Sequence, residues 1–211
     1  MAGASAQVRA RRAHRRVAVF LGLFLVLHFA AHFAALDSRQ LQEWVLHAGR
    51  AVYRIPAVEA ALVAGFAAQI TLGIGLVRGI AARKRKDGWH YAQLLSGCYL
   101  AAFIIMHTGA ALLTRWLSGL DTSFYWAAGT LTLSPLKFGF APYYALAVTA
   151  LGTHLVAALH FRLPRRWHAP ALAGGPVAAL AIILAYSGAL YPVELPGEYL
   201  AYFGSYLAVK E

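Results

Sequence analysis

Histidines 28, 107 and 154 each stand inside a stretch that is otherwise almost wholly apolar. His32 follows His28 by one helical turn, His160 sits beside Arg162, and His90 lies where an apolar stretch begins. An ionisable side chain in hydrocarbon is costly, so such residues face a bundle interior, a cavity or a cofactor. Two chemistries suit them. An isolated imidazole is most simply a hydrogen-bonding group between helices, a role that fits His32. Several imidazoles on facing helices can instead serve as axial ligands to iron, because helix bundles build cofactor sites from inward-facing side chains. A histidine pair of this kind can hold a haem, which is largely apolar. Zinc is a poorer match, since no carboxylate or thiolate accompanies these histidines. Three histidines at similar depth on three segments favour the cofactor. His160, next to a basic cluster, reads as interfacial.

The elements that must position these groups follow from composition. Of 211 residues, 60% are hydrophobic and only 13% are charged, about half the charged share of a soluble domain. Five stretches reach the ~20 apolar residues that a membrane core requires: roughly 17–36, 57–81, 90–114, 141–163 and 171–191. Each is expected to be a helix, which satisfies its own backbone in lipid. The fold class is therefore an all-α integral membrane bundle of five transmembrane helices. Residues 17–191 form the bundle, 1–16 a basic N-terminus and 192–211 a C-terminal tail along the outer surface. Although the start combines basic charge with an apolar run, that run is spanning length and carries two histidines, which argues against a signal peptide.

The net charge of +11 is bunched in "RARRAHRR" (9–16), "RKRK" (83–86) and "RLPRR" (162–166). These clusters flank apolar spans and do not line one polar face, so nucleic-acid binding is not expected. With the N-terminus cytoplasmic all three fall inside, as the positive-inside rule requires. Segment 37–56 then lies outside, as a connector or a short interfacial helix before Pro56, and so does 115–140. Cys98 is the single cysteine, so the chain by itself forms no disulfide or multi-cysteine metal site. It reads as a small packing residue. Gly97, ten residues before His107, and Gly22, six before His28, would let a helix or a flat ring approach closely, as would Gly73 and Gly75 beyond Gln69. Ordinary small-residue packing between membrane helices accounts for isolated glycines equally well.

Several segments resemble the single-chain, five-helix cytochrome b membrane anchor of succinate dehydrogenases and fumarate reductases. "FLGLFLVLH" is similar to that family's G-x-F-x-x-x-H and places an axial ligand at His28. "QLLSGCYLAAFIIMH" is similar to Q-x-x-[ST]-G, nine residues and His; it places a ligand at His107 and cofactor contacts at Gln93, Ser96 and Gly97. "LSPLKFGFAPYYALAVTALGTH" resembles the approach to the fourth helix and places a ligand at His154. The second helix, "VEAALVAGFAAQITLGIGLVRGIAARK", fits in length, small residues and basic end. Two positions depart from the family. Where two-haem members have a histidine on the second helix this chain has Gln69, and where they have a glutamate before the fourth-helix histidine it has Gly152.

The resemblance implies a multi-pass protein of the inner cell membrane that binds haem b through His28 and His107. A second haem on His154 would lack its usual partner. The chain would catalyse nothing on succinate or fumarate itself. It would pass electrons between an iron–sulfur subunit, itself served by a flavoprotein subunit, and membrane quinone. Arg162 and Arg165 would be topology determinants, or partners of a second haem's propionates. Glu43 and Trp44 are candidates for a quinone site, or simply parts of a solvated loop. Two other readings stay open: a stand-alone quinone-linked cytochrome b, and a haem-free structural membrane subunit or small transporter.

Overall fold

The computed structural model of the chain describes residues 2–207. Among these there are eight α-helices and no strand: α1 (Ala2–Ala34), α2 (Arg39–Tyr53), α3 (Pro56–Ala81), α4 (Gly88–Leu117), α5 (Phe124–Thr132), α6 (Leu136–Leu159), α7 (His168–Tyr186) and α8 (Gly197–Leu207). Five of them, α1, α3, α4, α6 and α7, are long and apolar enough to cross a membrane. The expected all-helical architecture with five spanning helices is therefore present. Their outward faces carry apolar side chains into the surroundings: Leu23 is 69% exposed and Ile105 60%, as suits a bundle whose solvent is lipid.

Local chemistry sets the helix ends. "AQVRARRAHRR" is rich in strong helix formers, and α1 runs unbroken from Ala2 through the basic segment into the first apolar span. Pro56 opens α3 at a position where its missing N–H costs nothing. Asp87 caps α4, accepting from the His90 backbone N–H at 2.9 Å, so His90 belongs to a cap. α7 ends at Tyr186, five residues short of the expected 191, because Gly188 turns the chain with a φ of +81°.

The connectors differ most from simple loops. Segment 37–56 contains α2, whose N-terminus is capped by Ser38, with Oγ accepting from Leu41 N at 3.2 Å. Segment 115–140 contains α5, which packs into a buried cluster with Ala35, Phe124, Ala128, Leu131, Ile182 and Tyr186. With α8 these helices form a cap on one end of the bundle. The tail beyond 192 thus leads into a packed helix, α8, with Tyr199 and Phe203 buried against Leu120.

A buried arginine ties the cap together. Arg50, 7% exposed, donates to Asp121 Oδ2 and to the Thr122 carbonyl, both at 2.8 Å. Arg54 reaches the other Asp121 oxygen at 3.2 Å, and Tyr199 donates its hydroxyl to the Asp121 carbonyl at 2.9 Å. Burial pushes the Asp121 carboxyl up, but the hydrogen bonds and charges of Arg50 and Arg54 outweigh it and hold the group below its ordinary value of 3.8. A depressed folded-state value means the stabilisation is complete above 3.8 and is lost as pH falls through the lower value. The expected result is a thermal midpoint that drops more steeply below that pH in the wild type than in Asp121→Asn. Parallel curves would remove the carboxylate from this account.

The opposite end gathers the three basic clusters. Here Trp89 of α4 stacks on His160 at 4.6 Å between ring centroids, and His160 Nδ1 lies 2.8 Å from the Ala157 carbonyl. The interfacial reading of His160 agrees with these contacts. Of the seven acidic residues within 2–207, Asp87 alone is at this end.

Helix contacts rely on glycine. A Cβ on Gly152 of α6 would come within 3.0 Å of the Gly175 Cα of α7, and one on Gly175 within 3.1 Å of the Thr149 Cα. The two backbones touch, the close approach that small residues permit in membranes. A side chain at 152 would therefore require the α7 backbone to shift. Gly65 of α3 lies under Leu21 and Phe20 of α1 in the same manner, at 3.1 and 3.2 Å. No neighbouring helix comes within 4 Å of a Cβ position on Gly22 or Gly75, and Gly22 lines the bundle cavity.

Candidate functional site

α1, α3, α4 and α6 diverge enough to leave a partly open cavity of about 1920 Å³, to which α2, α5 and α7 also contribute. That is roughly twice the upper end of the 300–1,000 Å³ usual for a small-molecule or cofactor pocket. Its walls are mainly apolar, and His14, His28, His32, His107, His154 and Gln69 all contribute to it.

Toward the cap, His28 of α1 and His107 of α4 meet edge to face, with ring centroids 6.1 Å apart and planes at 71°. Their rings are held in place by aromatic neighbours. Phe24, one turn before His28, stacks on it at 5.4 Å, and Phe103, one turn before His107, stacks on that ring at 5.0 Å and only 12° from parallel. Trp126 and Tyr144 lie 6.3 Å from His107 on other sides. His32 is the hydrogen-bonding histidine the sequence suggests. Its Nδ1 is 3.0 Å from the buried Tyr186 hydroxyl on α7, and its Nε2 is 3.2 Å from His28 Nε2. Tyr186, Phe24 and Phe103 escaped the sequence reading because aromatic residues in apolar spans look like ordinary core.

These residues fit a two-imidazole iron site. A metal–imidazole bond of about 2 Å on each side takes up most of the 6.1 Å between the His28 and His107 centroids. The donors are neutral-type nitrogen ligands in an apolar, aromatic enclosure, as haem requires. Ligation through His28 Nε2 opens one contact, that to His32, which keeps Tyr186. Among the described residues no group of three or more His, Cys, Asp or Glu side chains is arranged to hold a bare metal ion.

Toward the basic end the motif residues Ser96 and Gly97 of α4 meet His154 of α6, while His107 lies ten residues further along the helix. Ser96 Oγ is 3.1 Å from His154 Nδ1 and donates its own proton to the Ala92 carbonyl at 2.5 Å. The hydroxyl has a single proton, so His154 Nδ1 is the donor to Oγ and His154 Nε2 carries the bare lone pair. Fixing a tautomer through the distal nitrogen is the usual way of preparing a ligating histidine. A Cβ on Gly97 would stand 3.3 Å from the His154 ring, so the glycine seats it. Gln93 reaches the Ala157 carbonyl, one turn below His154, at 3.5 Å.

Other sequence candidates fall elsewhere. Glu43 pairs with Arg39 at 2.9 Å, Trp44 is 70% exposed, and neither lines the cavity. Arg162 lines it; Arg165 does not. Cys98 of α4 is exposed and lines the cavity, so it is not the buried packing residue expected; Gly97 beside it makes the close contact with His154. Gln69 lines the cavity with its side-chain oxygen buried and unpartnered. Sequence reasoning missed His14, whose ring lies over Gly73 of α3, 3.6 Å from the position of a Cβ there. It is hidden among arginines; the available signal was its spacing of two heptads from His28. No family model matches the chain, and neither a curated protein nor a solved structure does.

Proposed function

We propose that this chain is a membrane-embedded haem b electron-transfer subunit, the anchor of a succinate:quinone oxidoreductase-type complex in the inner cell membrane, with its N-terminus in the cytoplasm. The observation that carries this reading is the pair His28 and His107 on different helices, 6.1 Å apart between ring centroids and lining one mainly apolar cavity. When bound between two imidazoles, haem iron supplies one-electron transfer. The chain's own part is to bind and orient: His28 and His107 ligate, Phe24 and Phe103 fix the ring planes, and His32 with Tyr186 positions His28. The convergence of three basic clusters on one end supports the cytoplasmic assignment. That end is then the docking face for the iron–sulfur subunit and its flavoprotein partner, and membrane quinone is the other redox partner.

The test is a reduced-minus-oxidised spectrum of the full chain purified from haem-sufficient cells, with haem counted per chain. A b-type absorbance is expected. Its absence would return the histidines to interhelical hydrogen bonding in a structural subunit or small transporter. Affinity isolation from native membranes is expected to bring flavin and iron–sulfur proteins with it. Haem without them would identify a stand-alone quinone-linked cytochrome.

A further inference from the structure

The pair at His28 and His107 leaves the basic end of the cavity unexplained. Contacts between α1 and α3 fix which arginines share a level there. Cβ atoms built on Gly79, Gly73 and Gly65 would meet Gln7, His14 and Leu21 at 2.6, 3.6 and 3.1 Å. The two helices therefore run antiparallel, and Arg78 of α3 lies near the level of Val8, about one turn of α1 from Arg11 and Arg12. Arg15 is one turn further along. Arg11, Arg12, Arg15 and Arg78 all line the cavity, whereas Arg16 does not. Among the described residues no ion pair uses any of them. Asp87, the acidic residue at this end, is engaged by His90.

Depth decides what can reach these guanidinium groups. Arg15 stands two residues before Val17, where the first apolar run begins, and Arg78 directly follows Val77 at the end of the apolar part of α3. The ~20 residues between that level and the cap already span a membrane core, so the arginines lie where hydrocarbon meets headgroups. At the same boundary the cavity wall is open to the side. Val19 of α1 and Leu155 and Leu159 of α6 line the cavity, yet they are 66%, 52% and 45% exposed. Water gains no hydrogen bonds from such walls, whereas an acyl chain matches them. The hollow therefore combines an apolar side opening with a cationic rim.

We infer that the basic end of the cavity holds an anionic phospholipid, its phosphate met by Arg11, Arg12, Arg15 and Arg78 and an acyl chain lying along the apolar wall past Val19 and Leu155. Guanidinium forks bind phosphate oxygens bidentately, and basic pockets between spanning helices suit anionic headgroups. A zwitterionic lipid with the same tails brings an ammonium group against the same arginines, which gives the site its selectivity. The lipid closes the side opening. It also offsets the mutual repulsion of four guanidinium groups at the edge of a low-dielectric region. The inference goes beyond the haem reading and does not depend on it.

The experiment is native mass spectrometry of the purified full chain, delipidated in a non-ionic detergent and mixed with phosphatidylglycerol or phosphatidylcholine of identical acyl chains. The wild type is expected to retain phosphatidylglycerol about tenfold better than phosphatidylcholine. The triple variant Arg11→Gln, Arg15→Gln, Arg78→Gln should lose that preference. The triple variant Arg16→Gln, Arg85→Gln, Arg166→Gln gives up the same charge at residues that do not line the cavity, and should keep it. Arg78→Gln alone should move the preference in the same direction by a smaller factor, which keeps the test decisive if the first triple variant does not fold. Equal retention of the two lipids by the wild type would overturn the inference. So would equal losses in the two triple variants, which would reduce the effect to the overall basic field. Displacement of the lipid by millimolar inorganic phosphate would also overturn it, leaving a site for a free anion. With the b-type spectrum recorded on the same samples, haem without a lipid preference sinks this inference alone, and a lipid preference without haem sinks only the haem reading.

Discussion

His107→Ala is expected to abolish the haem on the cap side of the cavity, and His28→Ala to lower its occupancy at least tenfold. A tenfold loss corresponds to about 1.4 kcal/mol. The two variants differ because His28 has a neighbour that His107 lacks: His32, with Nε2 3.2 Å from His28 Nε2. His32 is anchored by the Tyr186 hydroxyl at 3.0 Å, so it replaces His28 only by giving up that bond. His32→Ala itself should weaken haem binding clearly less than His28→Ala does, as suits a residue that orients a ligand. Tyr186→Phe should have a smaller effect of the same sign. The measurement is haem per chain and the Soret-band position in detergent-purified protein. Full occupancy in both His28→Ala and His107→Ala would sink the ligand assignment. Equal effects of His32→Ala and His28→Ala would shift the ligand from His28 to His32.

The second large effect is structural. Gly175→Leu should destabilise the bundle by about 1–3 kcal/mol, the cost of overpacking a filled interface. A Cβ there would lie 3.1 Å from the Thr149 Cα and 3.2 Å from its carbonyl oxygen, and the nearest atoms are backbone, which cannot swing aside. Gly174 provides the control, because nothing lies within 4 Å of its Cβ position. Unfolding midpoints in a fixed detergent should therefore fall for Gly175→Leu and hold for Gly174→Leu. Gly152→Leu should resemble Gly175→Leu, since a Cβ at 152 would come within 3.0 Å of the Gly175 Cα. If α6 shifts, His154 shifts with it, so both damaging variants should also weaken any ligand held by His154. Equal midpoints for the 174 and 175 variants would show that the α6–α7 contact is looser than these distances.

The sequence by itself determined the five spans and the residues out of place within them. Hydropathy is a sum over one continuous segment, so "VEAALVAGFAAQITLGIGLV" declares a helix whatever packs beside it. His28, His107 and His154 were legible for the same reason: each is a polar exception in an apolar run. Helix boundaries were less legible, because Gly188 and the capping of α2 by Ser38 act through backbone geometry rather than hydropathy. What only the tertiary structure decided is which helix each exception meets. Ser96 and Gly97 share a helix with His107, yet they serve His154, because α4 and α6 cross at that depth. Gly152 is crowded by Gly175 of another helix, which its own segment does not reveal. His14 reads as one more charge in a basic cluster until α1 continues unbroken to Ala2 and carries its ring over Gly73. Depth and rotational phase between helices decide such meetings, and they are properties of pairs of segments that no single segment encodes.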